Sequence, residues 1–170
     1  MKVLETERLA LRRLVPSDAP FILRLLNDPG WIQFIGDRGV RTVEAAAAYL
    51  EARMLSQYER FGFGLWSVEP RAGGEPMGIC GLVKRDTLPV PDLGFAFLPD
   101  YRGRGFAFES ALGVRDHATN ALGIKRLLAI TSPGNVPSQR LLERLGFVAG
   151  TPMPLGGDDK DPVTVYAYGS

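Results

Sequence analysis

The segment from Asp92 to Leu122 leaves this chain few ways to fold. Asp92, Leu93, Gly94, Phe95, Ala96, Phe97 and Leu98 suit a strand, Pro99 to Gly105 is turn chemistry, and a helix of about four turns follows from Phe106. A strand that turns sharply into a helix through glycines and two arginines predicts an anion site. Gly103 and Gly105 let the backbone approach a ligand closely, and the first amides of the helix have no internal partner and carry the positive end of its dipole. Arg102 and Arg104 add charge and forked donors suited to phosphate oxygens. The expectation is a phosphate-bearing cofactor at the start of this helix.

Two commoner phosphate loops fail on residues. A P-loop needs Gly, four residues, then Gly, Lys and Ser or Thr, and no such string occurs. A dinucleotide fingerprint needs a third glycine at position 108 and an acid about 20 residues on; the chain has Phe108 and an acid-free run from Ala118 to Leu142.

Before the turn, Leu9 to Leu14 reads as a short strand and Phe21, Ile22, Leu25 and Leu26 as a helix stopped by Asn27 to Gly30. Trp31 to Arg41 is expected to be loop or broken helix carrying aromatic surface enough for a pocket wall. Thr42 caps a second helix with an apolar stripe of Val43, Ala46, Ala47, Leu50, Met54 and Tyr58, ending near Arg60. Phe63–Glu69, Gly78–Lys84 and Asp92–Leu98 form an antiparallel meander. Beyond the long helix come a strand from Arg126 to Thr131, a short helix from Pro137 to Leu145 ended by Gly146, a strand, a mobile loop from Pro152 to Pro162 and a final strand from Val163 to Tyr168. The result is one domain over residues 1–170, an α+β or mixed α/β sandwich around a mostly antiparallel sheet.

Composition removes several function classes. A length of 170 residues, 45% hydrophobic and 23% charged, suits a single globular core, and a net charge of +1 gives no reason to expect nucleic acid or a membrane surface as partner. The polar N-terminus and the lack of a long apolar run predict a cytoplasmic protein. The single cysteine, Cys80, excludes an internal disulfide and a cysteine-clustered metal site, and the single histidine, His117, argues against a catalytic triad or multi-histidine metal centre. Cys80 reads as a buried small hydrophobe and His117 as a helix-edge filler.

Arg102, Gly103, Arg104, Gly105, Phe106 and Ala107 resemble the acyl-coenzyme A pyrophosphate loop of the GNAT N-acetyltransferases. Gly123 to Arg126, Asn135 to Ser138 and Leu145 to Val148 are similar to that family's later strand and last helix, and Glu5 to Arg12 resembles the start of its RimJ/RimL branch. The resemblance implies a sheet of about seven strands with about four helices, splayed between the fourth and fifth strands so that the pantetheine arm of acetyl-coenzyme A lies between them. It implies backbone amides at Phe97 and Leu98 for the thioester carbonyl, and Asn135 and Ser138 beside the pantetheine. It implies a small-molecule or peptide amine as acceptor, no metal, and a monomer or homodimer.

Direct transfer from thioester to amine needs no side-chain nucleophile, which fits the scarcity of Cys and His. Many members of the family place a tyrosine seven residues after the asparagine to protonate the departing thiolate; this chain has Leu142 there. Asp92, as base or water-orienting group, and Ser138 are the candidate catalytic residues, and a solvated turn residue is the bland reading of Asp92. An α-amine with pKa near 8 is roughly a tenth neutral at pH 7, a lysine amine about one part in several thousand, so a site with no obvious base suits a weakly basic amine. A non-catalytic coenzyme A binding or sensing domain stands as the alternative.

Overall fold

A computed structural model describes residues 1–156 and 159–169. Among the described residues nine strands form the sheet: β1 (Lys2–Glu5), β2 (Leu9–Arg13), β3 (Leu65–Pro70), β4 (Gly78–Val83), β5 (Asp92–Phe97), β6 (Arg126–Thr131), β7 (Val148–Ala149), β8 (Met153–Gly156) and β9 (Asp159–Gly169). Their spatial order is β1-β2-β3-β4-β5-β6-β9-β7, with β8 paired to β9. All pairs are antiparallel except β5 with β6. Among the described residues six α-helices accompany them: α1 (Ala19–Leu26), α2 (Pro29–Phe34), α3 (Val43–Leu50), α4 (Ser56–Phe61), α5 (Phe106–Asn120) and α6 (Val136–Arg144).

Three features differ from expectation, and a fourth resolves one left open. The strand at Lys2–Glu5 has too little apolar alternation to be read alone; it exists because β2 offers it an edge. Of the loop or broken helix expected over Trp31–Arg41, the broken helix is present: Pro29–Phe34 is helical, capped by Asp28, whose carboxylate accepts the Trp31 N–H at 3.2 Å. The segment expected as a loop from Pro152 to Pro162 forms, over its described residues, the β8–β9 hairpin. The second helix is divided by a π-helical turn over Glu51–Leu55 between α3 and α4. Its buried residues Ala46, Leu50, Met54 and Tyr58 recur every four positions, a spacing that drifts off one face of a 3.6-residue helix. The wider π turn absorbs that drift.

Two cores sandwich the sheet. On one face α5 covers Leu9, Leu11, Trp66, Val68, Cys80, Leu82, Leu93, Phe97, Leu127 and Ala129, joined by Leu142, Leu145 and Phe147 from α6 and the turn after it. On the other face α1, α2 and α3 pack Phe21, Ile22, Leu25, Leu26, Trp31, Ala46 and Leu50 on Ile79 and Leu98. Gly146, at φ +92°, ends α6 in a Schellman turn: Phe147 N–H donates to Leu142 C=O at 2.9 Å and Gly146 N–H to Glu143 C=O at 3.0 Å. That turn seats Phe147 in the α5 core and buries Leu142 there as well. His117 lies on α5 edge-on to Trp66, ring centroids 5.8 Å apart.

Candidate active site

The parallel pair β5–β6 is joined only at its beginning. Asp92 registers with Leu128 and Leu93 with Ala129, and Leu128 N–H donates to Pro91 C=O at 3.0 Å. On its other side β5 stays paired with β4 along its length, and Leu98 N–H donates to Met77 C=O at 2.9 Å. Because peptide direction alternates along a strand, Phe95 and Phe97 turn their backbone groups away from β4, toward the gap that opens beyond Leu93. The splay expected between the fourth and fifth strands is therefore present, as β5 and β6 once β1 is counted. The Leu98 amide, expected to face the thioester, is already committed to Met77; Phe97 has the direction that use requires.

Side chains alternate as well. Leu93 and Phe97 point into the α5 core and Ala96 into the α1–α3 core, so Asp92 and Gly94 share the face of Ala96. A Cβ built on Gly94 would meet only Leu65 Cδ2, at 3.5 Å, which leaves room over the middle of β5. Asp92 lies at the vertex of the splay, 2% exposed, its Oδ2 accepting from Arg85 Nε at 3.0 Å. Burial raises its pKa above the ordinary aspartate value, with Arg85 and then Lys84 pulling the other way.

At the wide end of the gap the turn leads into α5. Gly103 and Gly105 adopt left-handed φ values of +72° and +83°, and Gly105 is the N-cap, so Phe106 and Ala107 open the helix with free N–H groups. Arg104 lies over the Phe106 ring, 5.1 Å from its centroid, with its guanidinium exposed. Arg102 is placed differently from the expected phosphate contact. Its Nε donates to Phe97 C=O at 3.0 Å and its Nη2 to the buried carboxylate of Asp28. A neighbouring carboxylate outcompetes a solvated position for a guanidinium within reach, and nothing in the local sequence names Asp28 as that neighbour.

Three residues that the local pattern does not single out hold the turn from behind. Glu109, on the first turn of α5, accepts from Thr6 Oγ1, from Arg8 N–H at 2.9 Å and from Arg8 Nε at 2.6 Å. Arg8 Nη1 donates to Arg104 C=O at 3.1 Å, and its guanidinium stands 4.5 Å from the Phe106 centroid. Burial alone raises the Glu109 pKa, but the hydrogen bonds from Thr6 and Arg8 outweigh it and hold the carboxylate below its usual range. The signal for this clamp was the spacing of Thr6 and Arg8 in the opening motif, which has no meaning until β1–β2 is placed beside α5.

Asn135 Oδ1 accepts the Ser138 N–H at 3.4 Å, capping α6, and both residues, the cap and one in the helix's first turn, are half-buried. Leu142 is 1% exposed. Cys80 is fully buried and its thiol pKa is pushed up to about 12, so it offers no nucleophile.

A split parallel pair, a glycine turn aimed into a helix N-terminus and an open strand face together make up the candidate site. The model of the GNAT acetyltransferase domain matches residues 8–148, and the chain belongs to this family. Among relatives, the uncharacterized N-acetyltransferase YoaA of Bacillus subtilis is 28% identical over 146 residues, covering 85% of this chain and 82% of its own. An acetyltransferase from Agrobacterium tumefaciens superposes with a TM-score of 0.80 at 28% identity, covering 100% of this chain and 95% of that one. RimL, a ribosomal L7/L12 α-N-protein acetyltransferase solved with coenzyme A, shares the fold at a TM-score of 0.80 and 16% identity over 99% of this chain and 98% of its own. The chain is an N-acetyltransferase; its family acts on amines with acetyl-coenzyme A.

Proposed function

We propose that this chain moves an acetyl group from acetyl-coenzyme A to a primary amine, a protein N-terminal α-amine or a small-molecule amine, by direct attack within a ternary complex. The observation that carries the proposal is the gap itself. Phe95 and the Phe97 N–H present strand hydrogen-bonding groups with no strand opposite, the Phe97 C=O being taken by Arg102, beside the left-handed turn at Gly105 and the free amides of Phe106 and Ala107. An extended amide-bearing arm ending in phosphates matches both parts. The cosubstrate supplies the acetyl group as a thioester; the residues supply the rest.

In this reading Phe106, Ala107 and Arg104 hold phosphate oxygens, Asn135 and Ser138 flank the arm from α6, and the Phe97 N–H stabilises the carbonyl oxygen as it gains charge. Asp92, with its raised pKa, accepts the amine proton directly or through water from the face that Gly94 leaves open. Leu142, sealed in the core, donates nothing, so the departing thiolate takes its proton from Ser138 or solvent. An α-amine needs the least assistance from such a site, which favours peptide N-termini, in keeping with the RimJ/RimL-like opening.

A thiol-release assay over peptide N-termini, amino acids, polyamines and aminoglycosides, paired with calorimetric titration of acetyl-coenzyme A, tests this. Gly105→Glu puts a side chain at φ +83° and a carboxylate at the phosphate position, and should weaken cosubstrate binding by at least about a hundredfold. Tight binding with no thiol release from any amine would instead leave a coenzyme A binding module. Unaltered affinity in Gly105→Glu would remove the cosubstrate assignment.

A further inference from the structure

The helix α2 is tied to both splayed strands. At its N-terminal end, Asp28 caps the helix through Trp31 N–H and also takes Nη2 of Arg102, whose Nε is on Phe97 C=O at the end of β5. At its C-terminal end, Phe34 C=O accepts Ser132 Oγ at 2.6 Å, and Ser132 directly follows β6. The six-residue helix therefore spans from one side of the gap to the other. It does so on the α1–α3 face, the face onto which Asp92 and Gly94 open.

Trp31 occupies the middle of that span. It is 7% exposed and packs in the same cluster as Leu98 and Ala96 of the β5 side. Among the described residues its Nε1 is one of three buried side-chain polar atoms without a hydrogen-bond partner, with Ser67 Oγ and Thr131 Oγ1. A buried N–H without a protein partner is costly unless it is satisfied, so it is a donor open to an incoming acceptor. The guanidinium of Arg102 is meanwhile engaged on the acceptor side. A Cβ on Gly30 would lie 3.0 Å from both Nη1 and Nη2, so the group rests against the first turn of α2.

Building on the transfer reading above, we propose that Arg102 serves the acceptor site. Paired with Asp28, it is a positioning residue that holds α2, and with it the Trp31 indole N–H, over the gap to receive an acceptor that carries a carbonyl oxygen beside its amine. This selects peptide or amino-acid α-amines over plain alkylamines and polyamines. The amine points to β5 and the neighbouring oxygen to Trp31. The ion pair contributes geometry and no step of the chemistry.

Three variants test it. Arg102→Gln keeps a donor for Phe97 C=O and loses the charge facing Asp28; Asp28→Asn keeps the cap and loses the other charge; Trp31→Phe keeps the ring and loses the N–H. Steady-state kinetics with an N-terminal alanine peptide and with propylamine, and calorimetry with acetyl-coenzyme A, give the readouts. Arg102→Gln and Asp28→Asn should each raise the peptide KM about tenfold and leave cosubstrate affinity within about threefold, with the double variant falling short of the product of the two. Trp31→Phe should raise the peptide KM about tenfold and leave propylamine unchanged. A tenfold loss of acetyl-coenzyme A affinity in Arg102→Gln with an unchanged peptide KM would return Arg102 to the phosphates and overturn the proposal. Equal effects of Trp31→Phe on the two amines, or none on either, would overturn its acceptor role. Absence of turnover in the wild-type chain counts against the transfer reading; there, an unshifted Trp31 indole ¹⁵N–H resonance on adding the peptide to the acetyl-coenzyme A complex also overturns this one.

Discussion

Asp92 and Arg85 give the most exposed test of the chemistry. Their charges approach with 3.0 Å between Nε and Oδ2, one partner 3% and the other 38% exposed by side chain. Two unit charges about 4 Å apart at an effective dielectric near 20 attract by about 4 kcal/mol. Solvent around the half-open arginine screens that to about 1–2 kcal/mol, or roughly one pKa unit. Removing the arginine by Arg85→Ala takes away a partner that lowers the Asp92 pKa and leaves the burial that raises it. The acid limb of the pH profile of kcat/KM should therefore move up by about one unit. Asp92→Asn should erase that limb and reduce kcat by about a hundredfold or more. Stability follows the same sign. An aspartate whose folded pKa is raised binds its proton more readily in the native state, so its contribution is fully favourable at acid pH and is lost as pH rises through the folded value. Arg85→Ala should thus lower Tm most near neutral pH, with a deficit that shrinks in acid. An acid limb that stays in place in Arg85→Ala and survives in Asp92→Asn would show that another group titrates, and the assignment of the base would fall.

Other expectations concern the frame. Glu109→Ala removes the acceptor of three donors from Thr6 and Arg8, two of them open to water, and should cost about 1 kcal/mol in a denaturant melt while raising the KM for acetyl-coenzyme A. Because the Glu109 pKa is depressed, the gap between wild type and variant should be full above the ordinary value of 4.5 and close as pH falls through the folded one, which a pH series of melts will show. Gly94→Leu fills the open face of β5 and should raise acceptor KM at least about tenfold with cosubstrate affinity intact, as judged by kinetics and titration side by side.

Much of the architecture was legible because local chemistry and tertiary packing agree. The Gly103–Gly105 turn, the α5 helix, the Gly146 stop and the meander ahead of them are each dictated by residues within a few positions. Elements that depend on a distant partner were not. β1 needs the β2 edge, β8 needs β9, and the π turn answers a four-residue spacing visible only against a fixed core. The site divides the same way. Glycines and helix N-terminal amides act through their own backbone, so the left-handed turn and the helix start at Phe106 could be placed from sequence. Arg102 and Asn135 carry side chains that long-range and local partners claim first, Asp28 in one case and the Ser138 N–H in the other. Whether a donor faces a ligand or a carboxylate dozens of residues away is a question sequence order does not answer.

The sealed thiol of Cys80 has a practical bearing on how such a protein can be studied. A disulfide reagent that reports released coenzyme A reacts with thiolate, and a group with pKa about 12, wholly shielded between sheet and α5, presents almost none. The folded enzyme should therefore be silent in its own assay, with no background titre to subtract. Colour appearing without any amine added would report the opening of the β4 core, so one cuvette measures turnover while the fold holds and its loss when it fails.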